Sequence, residues 1–264
     1  MIEWRALARG VARGPAVTSA VIAVCCALFV AGPVSGLNPP RGRLDGEQLL
    51  AAQTAYFERW GVVPAELMSG DPGALLTPFT ALFIHGNWLH LLGNMLFLYV
   101  FGAMAEERMG RVEFFLFYAV TGGLALSAYA AAHAGSQQTL VGASGAISGV
   151  LGAFLFLFPR ARVTSLFPFL FFLPLRFPAW IVLIFWFVLQ GMAATGAGTG
   201  GAGVAYLAHL VGFALGFLYA WARSGRGTGP LAHLARRLGR TAGRPWRRTR
   251  VKVPAAATEG ESQP

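Results

Sequence analysis

Charged side chains are scarce in this chain. Only 12% of its residues are charged, whereas a soluble domain of this size normally carries about 25%. Hydrophobic residues make up 55%, and there are 34 glycines and 21 phenylalanines. Closely packed membrane helices are rich in small residues. The composition therefore predicts an all-α membrane protein.

Cysteine is almost missing as well. The two cysteines, Cys25 and Cys26, are adjacent and lie inside an apolar run. Neighbouring cysteines provide no disulfide framework, and they lack the spacing of metal ligands. We interpret both as hydrophobic side chains.

Long apolar runs are plentiful. A membrane-spanning helix needs about 20 apolar residues, with a range of about 17 to 25. The first run follows Arg5, Arg9 and Arg13 and therefore also resembles a signal peptide. We favour a retained helix, because the apolar run is slightly long for a signal peptide and the arrangement of the other spans needs it. Six segments are predicted to span the membrane: 15–31, 87–105, 112–133, 142–158, 178–194 and 203–222.

A seventh apolar segment, 165–178, is not predicted to cross. Pro168 and Pro174 interrupt it, and the uninterrupted run is too short to span a bilayer. We expect it to lie in the inner interface or to fold back partway.

Basic residues predict the orientation. With the N-terminus inside, the inner segments hold 18 of the 21 Lys and Arg residues, and the outer segments hold only Arg41, Arg43 and Arg59. The positive-inside rule then places both termini in the cytoplasm. The predicted organisation is a cytoplasmic segment 1–14, a six-helix domain 15–222 with a long outer loop 33–86, and a basic tail 223–264.

The formal net charge of +10 does not by itself indicate nucleic acid, because ten of the basic residues lie in the tail. A basic tail next to a membrane helix is typical of contact with anionic lipid, and no aromatic-basic nucleic-acid module accompanies it. We predict a largely disordered tail in which 231–238 forms a short surface helix.

A few polar residues interrupt the apolar segments, where they are costly and therefore candidates for function. Their predicted depths agree, because all lie in the outer third of the membrane. Each also has a structural interpretation: the spacing of Ser144 with Ser148, of Gly145 with Gly149, and of Gly212 with Gly216 is typical of helix packing. Packing does not require this particular set at one depth: His85, His90, Asn94, Ser144 and His209.

The set is suited to acyl transfer. A serine hydroxyl becomes a nucleophile when a base lies within hydrogen-bond reach, and His209 is the candidate base for Ser144. The acidic residues nearest the predicted spans, Glu106, Glu107 and Glu113, lie at their inner ends, far from the polar set, so a Ser–His dyad is expected instead of a triad. His90, Asn94 and the backbone N–H of Ser144 are candidate donors to an oxyanion. The sequence GASGA does not fit the G-x-S-x-G elbow of α/β-hydrolases.

The same residues bear on the number of spans. If 165–178 crossed the membrane, His209 would lie near the inner face, most of a bilayer away from Ser144. Six spans satisfy both the charge distribution and the chemistry.

Four motifs occur in one order: HGNWLHLLGN (85–94), EERMG (106–110), GASG (142–145) and AHLVGFALG (208–216). In this combination the chain resembles the rhomboid family of intramembrane serine proteases over residues 15–222. The resemblance implies Ser144 as nucleophile, His209 as base, and His90, Asn94 and Ser144 as the oxyanion hole. It gives His85 a structural or water-handling role, with Gly142 and Gly145 as supporting glycines of the GASG motif.

The resemblance also implies that there is no metal or cofactor, and that the substrates are transmembrane proteins cut near the outer face. It further implies that the fifth helix and the loop 195–203 act as gate and cap. The chain departs from some family members in having Ser148 where they carry a tyrosine, and Arg59–Trp60 in the reverse order of their Trp-Arg pair.

Two other functions remain open on the sequence. One is a rhomboid-like binding factor without proteolysis, against which the retention of the whole polar set argues. The other is a transporter or proton channel that uses His90 and His209, which no acidic partner or internal repeat supports. The high Ala, Gly and Arg content indicates a GC-rich bacterial genome, and hence a location in the plasma membrane.

Overall fold

The computed structural model describes residues 14–38, 45–167, 173–194 and 205–224 of this 264-residue chain. The described part is mostly helical. Its α-helices are α1 (Ala16–Ala31), α2 (Gly46–Trp60), α3 (Pro64–Ser69), α4 (Thr77–Thr80), α5 (Trp88–Phe97), α6 (Ala103–Met109), α7 (Arg111–Ala132), α8 (Ser144–Leu157), α9 (Ala179–Ala194) and α10 (Tyr206–Ser224).

Each of the six segments predicted to span the membrane contains one of these helical stretches. The second is longer than predicted, because a π-helical turn at Leu98–Gly102 joins α5 and α6 into one helix, Trp88–Met109. This helix and α7 are each 22 residues long and apolar enough to cross a membrane, whereas α1, α8 and α9 are apolar but shorter. Six crossings and the orientation of the termini stay predictions.

Helix α8 forms the centre of the bundle. Its residues 145–154 are all buried, and it packs against α7 on one side and α10 on the other. A Cβ atom at Gly216 of α10 would overlap the carbonyl oxygen of Gly149, so the two backbones are in direct contact. The small-residue spacing of the sequence is therefore confirmed as a packing face.

The start of α1 is held by a residue far away in the sequence. Glu106, only 3% exposed, accepts hydrogen bonds from the backbone N–H groups of Val17 (3.0 Å) and Thr18 (2.7 Å). Pro15 at the N-cap position supplies no side-chain cap, so the Glu106 carboxylate satisfies amides that would otherwise lack acceptors.

The long connection between α1 and α5 is structured over the residues that are described, 32–38 and 45–87. It contains α2, α3, α4 and a 3₁₀ turn at Ala81–Phe83. Its backbone bonds to the segment that precedes α8, through Val62 with Leu140 and through the N–H of Gly142 to the oxygen of Ala81 (2.9 Å). The connection thereby fixes the approach to the start of α8.

The apolar segment between α8 and α9 is not one helix. It forms two antiparallel strands, β1 (Arg162–Phe167) and β2 (Leu173–Pro178), in which Arg162 pairs with Pro178. Proline supplies no backbone N–H and does not fit a helix interior, so Pro174, which lies in β2, agrees with this result. Predictions for residues 1–13, for the loop 195–203, and for the tail after Ser224, including 231–238, lie outside the described residues.

Candidate active site

Two helix beginnings meet at one end of the bundle. Ser144 is the first residue of α8 and His209 is the fourth residue of α10. Because glycines bring these two helices into backbone contact, the side chains meet: Nε2 of His209 lies 2.8 Å from Oγ of Ser144. The structure therefore brings together the two residues that the sequence paired as nucleophile and base.

The other ring nitrogen of His209 has a partner that the sequence analysis missed. Nδ1 lies 2.7 Å from Oε1 of Gln190 on α9. Gln190 is the only strongly polar residue in the predicted span 178–194, and this isolation was the signal that could have identified it.

Aromatic rings flank His209, although a tyrosine one turn after Ser144 is missing. The ring centroids of Trp186 and Tyr206 lie 6.1 Å and 6.3 Å from that of His209. At the position of the missing tyrosine, Oγ of Ser148 donates to the carbonyl oxygen of Ser144 at 2.6 Å. The hydroxyl of Ser148 is thus bonded within its own helix.

His90 presents a ring N–H towards the start of α8. The backbone N–H of Gly86 donates to Nδ1 of His90 (3.4 Å), which favours the neutral tautomer with its proton on Nε2. Asn87 caps α5 by accepting from the backbone N–H of His90 (2.8 Å), which fixes the first turn. A Cβ atom at Gly142 would lie 2.7 Å from this Nε2.

Asn94 follows His90 by one helical turn. Its side chain is 9% exposed, and its Nδ2 has no hydrogen-bond partner among the described residues. A buried amide donor without a partner is costly, and such a donor is what an oxyanion site requires.

The two supporting glycines lie in tight places. Gly142 has φ +128, a conformation that residues with a side chain rarely adopt, and it faces His90. A Cβ atom at Gly145 would come within 3.2 Å of the Cβ atom of Ala125 on α7.

His85 lies behind this site. It is 2% exposed, and its ring meets that of His90 edge-on, with centroids 5.2 Å apart. It is therefore placed to support His90 rather than to touch a substrate.

A cavity of about 640 Å³ opens beside these groups. Four of the five polar residues predicted from the sequence, all except His85, line it with Gln190 and with apolar side chains that include Phe97, Leu126 and Ile147. Its lining combines a serine hydroxyl with an imidazole ring, hydrogen-bond donors and apolar surface. The polar set comprises His90, Asn94, Ser144 and His209.

Comparisons with known proteins agree with these motifs. A family model described as the rhomboid domain matches residues 72–226. The chain is 34% identical over 143 residues to "Rhomboid protein 1, mitochondrial" of Saccharomyces cerevisiae. This match covers 53% of this chain and 39% of the yeast protein. It is 42% identical over 72 residues to "Rhomboid-like protein 11, chloroplastic" of Arabidopsis thaliana, covering 27% and 25%.

A longer match is to "RHOMBOID-like protein 4" of Arabidopsis thaliana. It has 31% identity over 223 residues and covers 79% of this chain and 50% of the plant protein. The matched stretches thus cover half or less of the length of these relatives.

Proposed function

This chain belongs to the rhomboid family, whose domain model matches more than half of it, and we propose that it is an intramembrane serine protease. The proposed reaction is hydrolysis of peptide bonds in or next to transmembrane segments of other membrane proteins. The observation that carries the proposal is the 2.8 Å contact between Nε2 of His209 and Oγ of Ser144, at a cavity that His90 and Asn94 also line.

The proposed chemistry begins with Ser144. Its hydroxyl oxygen attacks the scissile carbonyl carbon while His209 accepts the hydroxyl proton at Nε2. When the tetrahedral intermediate collapses, the C–N bond breaks and His209 returns the proton to the leaving amine. The carbonyl of the substrate is then an ester of Ser144, and a water molecule deprotonated by His209 hydrolyses that ester.

The oxyanion of the intermediate needs donors that are already in place. Nε2–H of His90, Nδ2 of Asn94 and the backbone N–H of Ser144 are suited to this role. Ser144 is the first residue of α8, so its N–H is one of those without an acceptor inside the helix, and the helix dipole favours negative charge there.

The proposed setting is a membrane, in which the rhomboid family is embedded. We infer six spans, both termini inside, an active site near the outer face, and a basic tail that contacts anionic lipid. The relatives named above come from yeast and Arabidopsis, with mitochondrial and chloroplastic forms among them. A bacterial plasma membrane thus stays a prediction from composition alone.

The test is cleavage of a model transmembrane substrate by the purified protein in liposomes, beside Ser144→Ala and His209→Ala. We expect cleavage by the parent and near-complete loss in both variants, with unchanged thermal melting in detergent. Equal cleavage by parent and variants would exclude the dyad. If the parent also cuts nothing and does not react with a fluorophosphonate, the alternative of a non-catalytic, membrane-protein binding factor is favoured.

A further inference from the structure

Gln190 is a polar residue on an otherwise apolar helix face that meets the base. It is the twelfth residue of α9, and its Oε1 lies 2.7 Å from Nδ1 of His209. In the proposed mechanism His209 transfers the proton through Nε2. The opposite ring nitrogen, Nδ1, takes no part in that transfer and is the atom that Gln190 contacts.

The contact determines which ring nitrogen carries the proton. An amide oxygen only accepts hydrogen bonds, so Nδ1 of His209 must donate to Gln190. A neutral imidazole has one N–H, which leaves a lone pair on Nε2 facing the hydroxyl of Ser144. This tautomer is the one that accepts the serine proton.

The opposite orientation of the amide would disable the base. If the amide nitrogen of Gln190 faced Nδ1, it would donate to the ring, and the ring proton would move to Nε2. Nε2–H would then donate to the oxygen of Ser144 and have no lone pair for the hydroxyl proton. The oxygen-inward orientation of Gln190 is therefore the one that favours general-base chemistry by His209.

Other neighbours of His209 do not fill this role. Trp186 and Tyr206 restrict the ring by packing at centroid distances of 6.1 Å and 6.3 Å. The hydroxyl of Ser148 bonds to the carbonyl oxygen of Ser144. Among the described residues, Gln190 is the group in hydrogen-bond contact with Nδ1.

We propose that Gln190 is the positioning residue of this site, holding His209 in the tautomer and orientation in which Nε2 accepts the proton of Ser144. The proposal rests on the protease function proposed above. It gives the third position of a triad to a neutral amide, which avoids placing a carboxylate in an apolar helix, where an ionised group is costly.

A neutral positioning group has a distinct kinetic signature. Its loss disturbs proton transfer but leaves the apolar lining of the cavity intact, so kcat changes while KM stays close to that of the parent. We expect Gln190→Met to lower kcat on the order of tenfold to a hundredfold, which is part of what a positioned general base contributes.

Gln190→Glu is the rescue variant. Its carboxylate oxygen again accepts from Nδ1–H, so we expect kcat to recover most of the loss seen with Gln190→Met. Leu189→Met is the matched control, since Leu189 is on the exposed side of α9 and does not line the cavity.

The tautomer can also be read in the unmutated protein. Nitrogen NMR of histidine-labelled protein distinguishes a protonated Nδ1 from a protonated Nε2, with Gln190→Met used to assign the signal of His209. We expect Nδ1–H in the parent. A protonated Nε2 there would overturn the proposal.

The kinetic outcomes separate the two proposals. If Ser144→Ala is inactive while Gln190→Met keeps the parent kcat, or if Gln190→Glu is as slow as Gln190→Met, only the assignment of Gln190 fails. If Ser144→Ala cleaves as fast as the parent, the protease proposal itself fails.

Discussion

At the scale of single residues, the site depends on donors that are buried before any substrate arrives. Asn94 illustrates this. The residue is only 9% exposed, and its Nδ2 has no hydrogen-bond partner among the described residues. Folding does not leave a buried amide unpaired without cost. The arrangement is explained if the donor is used during the reaction.

Replacing Asn94 by alanine should therefore affect the reaction more than the fold. We expect kcat to fall about 100- to 1000-fold, the usual effect of losing one oxyanion donor, with little change in KM. Thermal melting in detergent should not fall, since no hydrogen bond of the Nδ2 atom is lost. Asn38→Ala, at a residue outside the cavity, is the control. A kcat within twofold of the parent (about 0.4 kcal/mol) would remove Asn94 from the oxyanion hole.

Gly142 is the second residue whose identity matters by itself. Alanine there would have to adopt φ +128 and place its Cβ atom 2.7 Å from Nε2 of His90. We expect Gly142→Ala to destabilise the protein by about 1–3 kcal/mol and to lose cleavage. Gly135→Ala is the matched control, because a Cβ atom there meets nothing within 4 Å. Parent-like melting and activity of Gly142→Ala would contradict the strained geometry.

At the scale of elements, the contact between α8 and α10 sets the distance between Ser144 and His209. Gly216→Ala would push the two helices apart, since its Cβ atom overlaps the carbonyl oxygen of Gly149. We expect a loss of stability of about 1–3 kcal/mol, as for other overpacked cores, together with lower activity.

Gly191→Ala is the control for that prediction, because a Cβ atom at this position on α9 meets nothing within 4 Å. Melting temperature and cleavage rate are measured for both variants. Equal values for Gly216→Ala and Gly191→Ala would mean that the helix contact does not determine the dyad geometry.

The cap of α1 by Glu106 acts at the same scale. Glu106→Ala leaves the N–H groups of Val17 and Thr18 without their acceptor, which should lower the free energy of unfolding by about 1–3 kcal/mol. Glu106→Gln keeps one acceptor oxygen and should be intermediate. The control is Glu107→Ala, at an exposed neighbouring residue, which should keep the melting temperature of the parent. If Glu106→Ala and Glu106→Gln had the same melting temperature as Glu107→Ala, the cap would not be stabilising.

At the scale of the whole molecule, the topology predicts which surface faces outward. In a protein whose Cys25 and Cys26 are changed to alanine, single cysteines are introduced at the exposed residues Glu58 and Glu107. An impermeant maleimide applied to intact cells should label Glu58→Cys, and should label Glu107→Cys only after permeabilisation. The reverse pattern would invert the proposed orientation and move the active site to the inner face.

Much of the fold was predictable because membrane helices follow from long apolar runs. All six predicted segments contain helices, with boundaries that differ by a few residues. The second helix extends to Met109, beyond the predicted segment 87–105, and Glu106 in this extension is bonded to α1. The strand pair formed by 162–167 and 173–178 was not predicted either, since the prolines indicated only that a helix would be interrupted.

The sequence by itself determined the family and pointed to the polar residues His90, Asn94, Ser144 and His209, though not to Gln190, because costly side chains in apolar segments stand out and the motifs keep a fixed order. Only the tertiary structure decided how those groups meet. Contacts between distant segments, such as Gln190 with His209 or Gly149 with Gly216, depend on the approach of whole helices, which no local pattern of residues specifies.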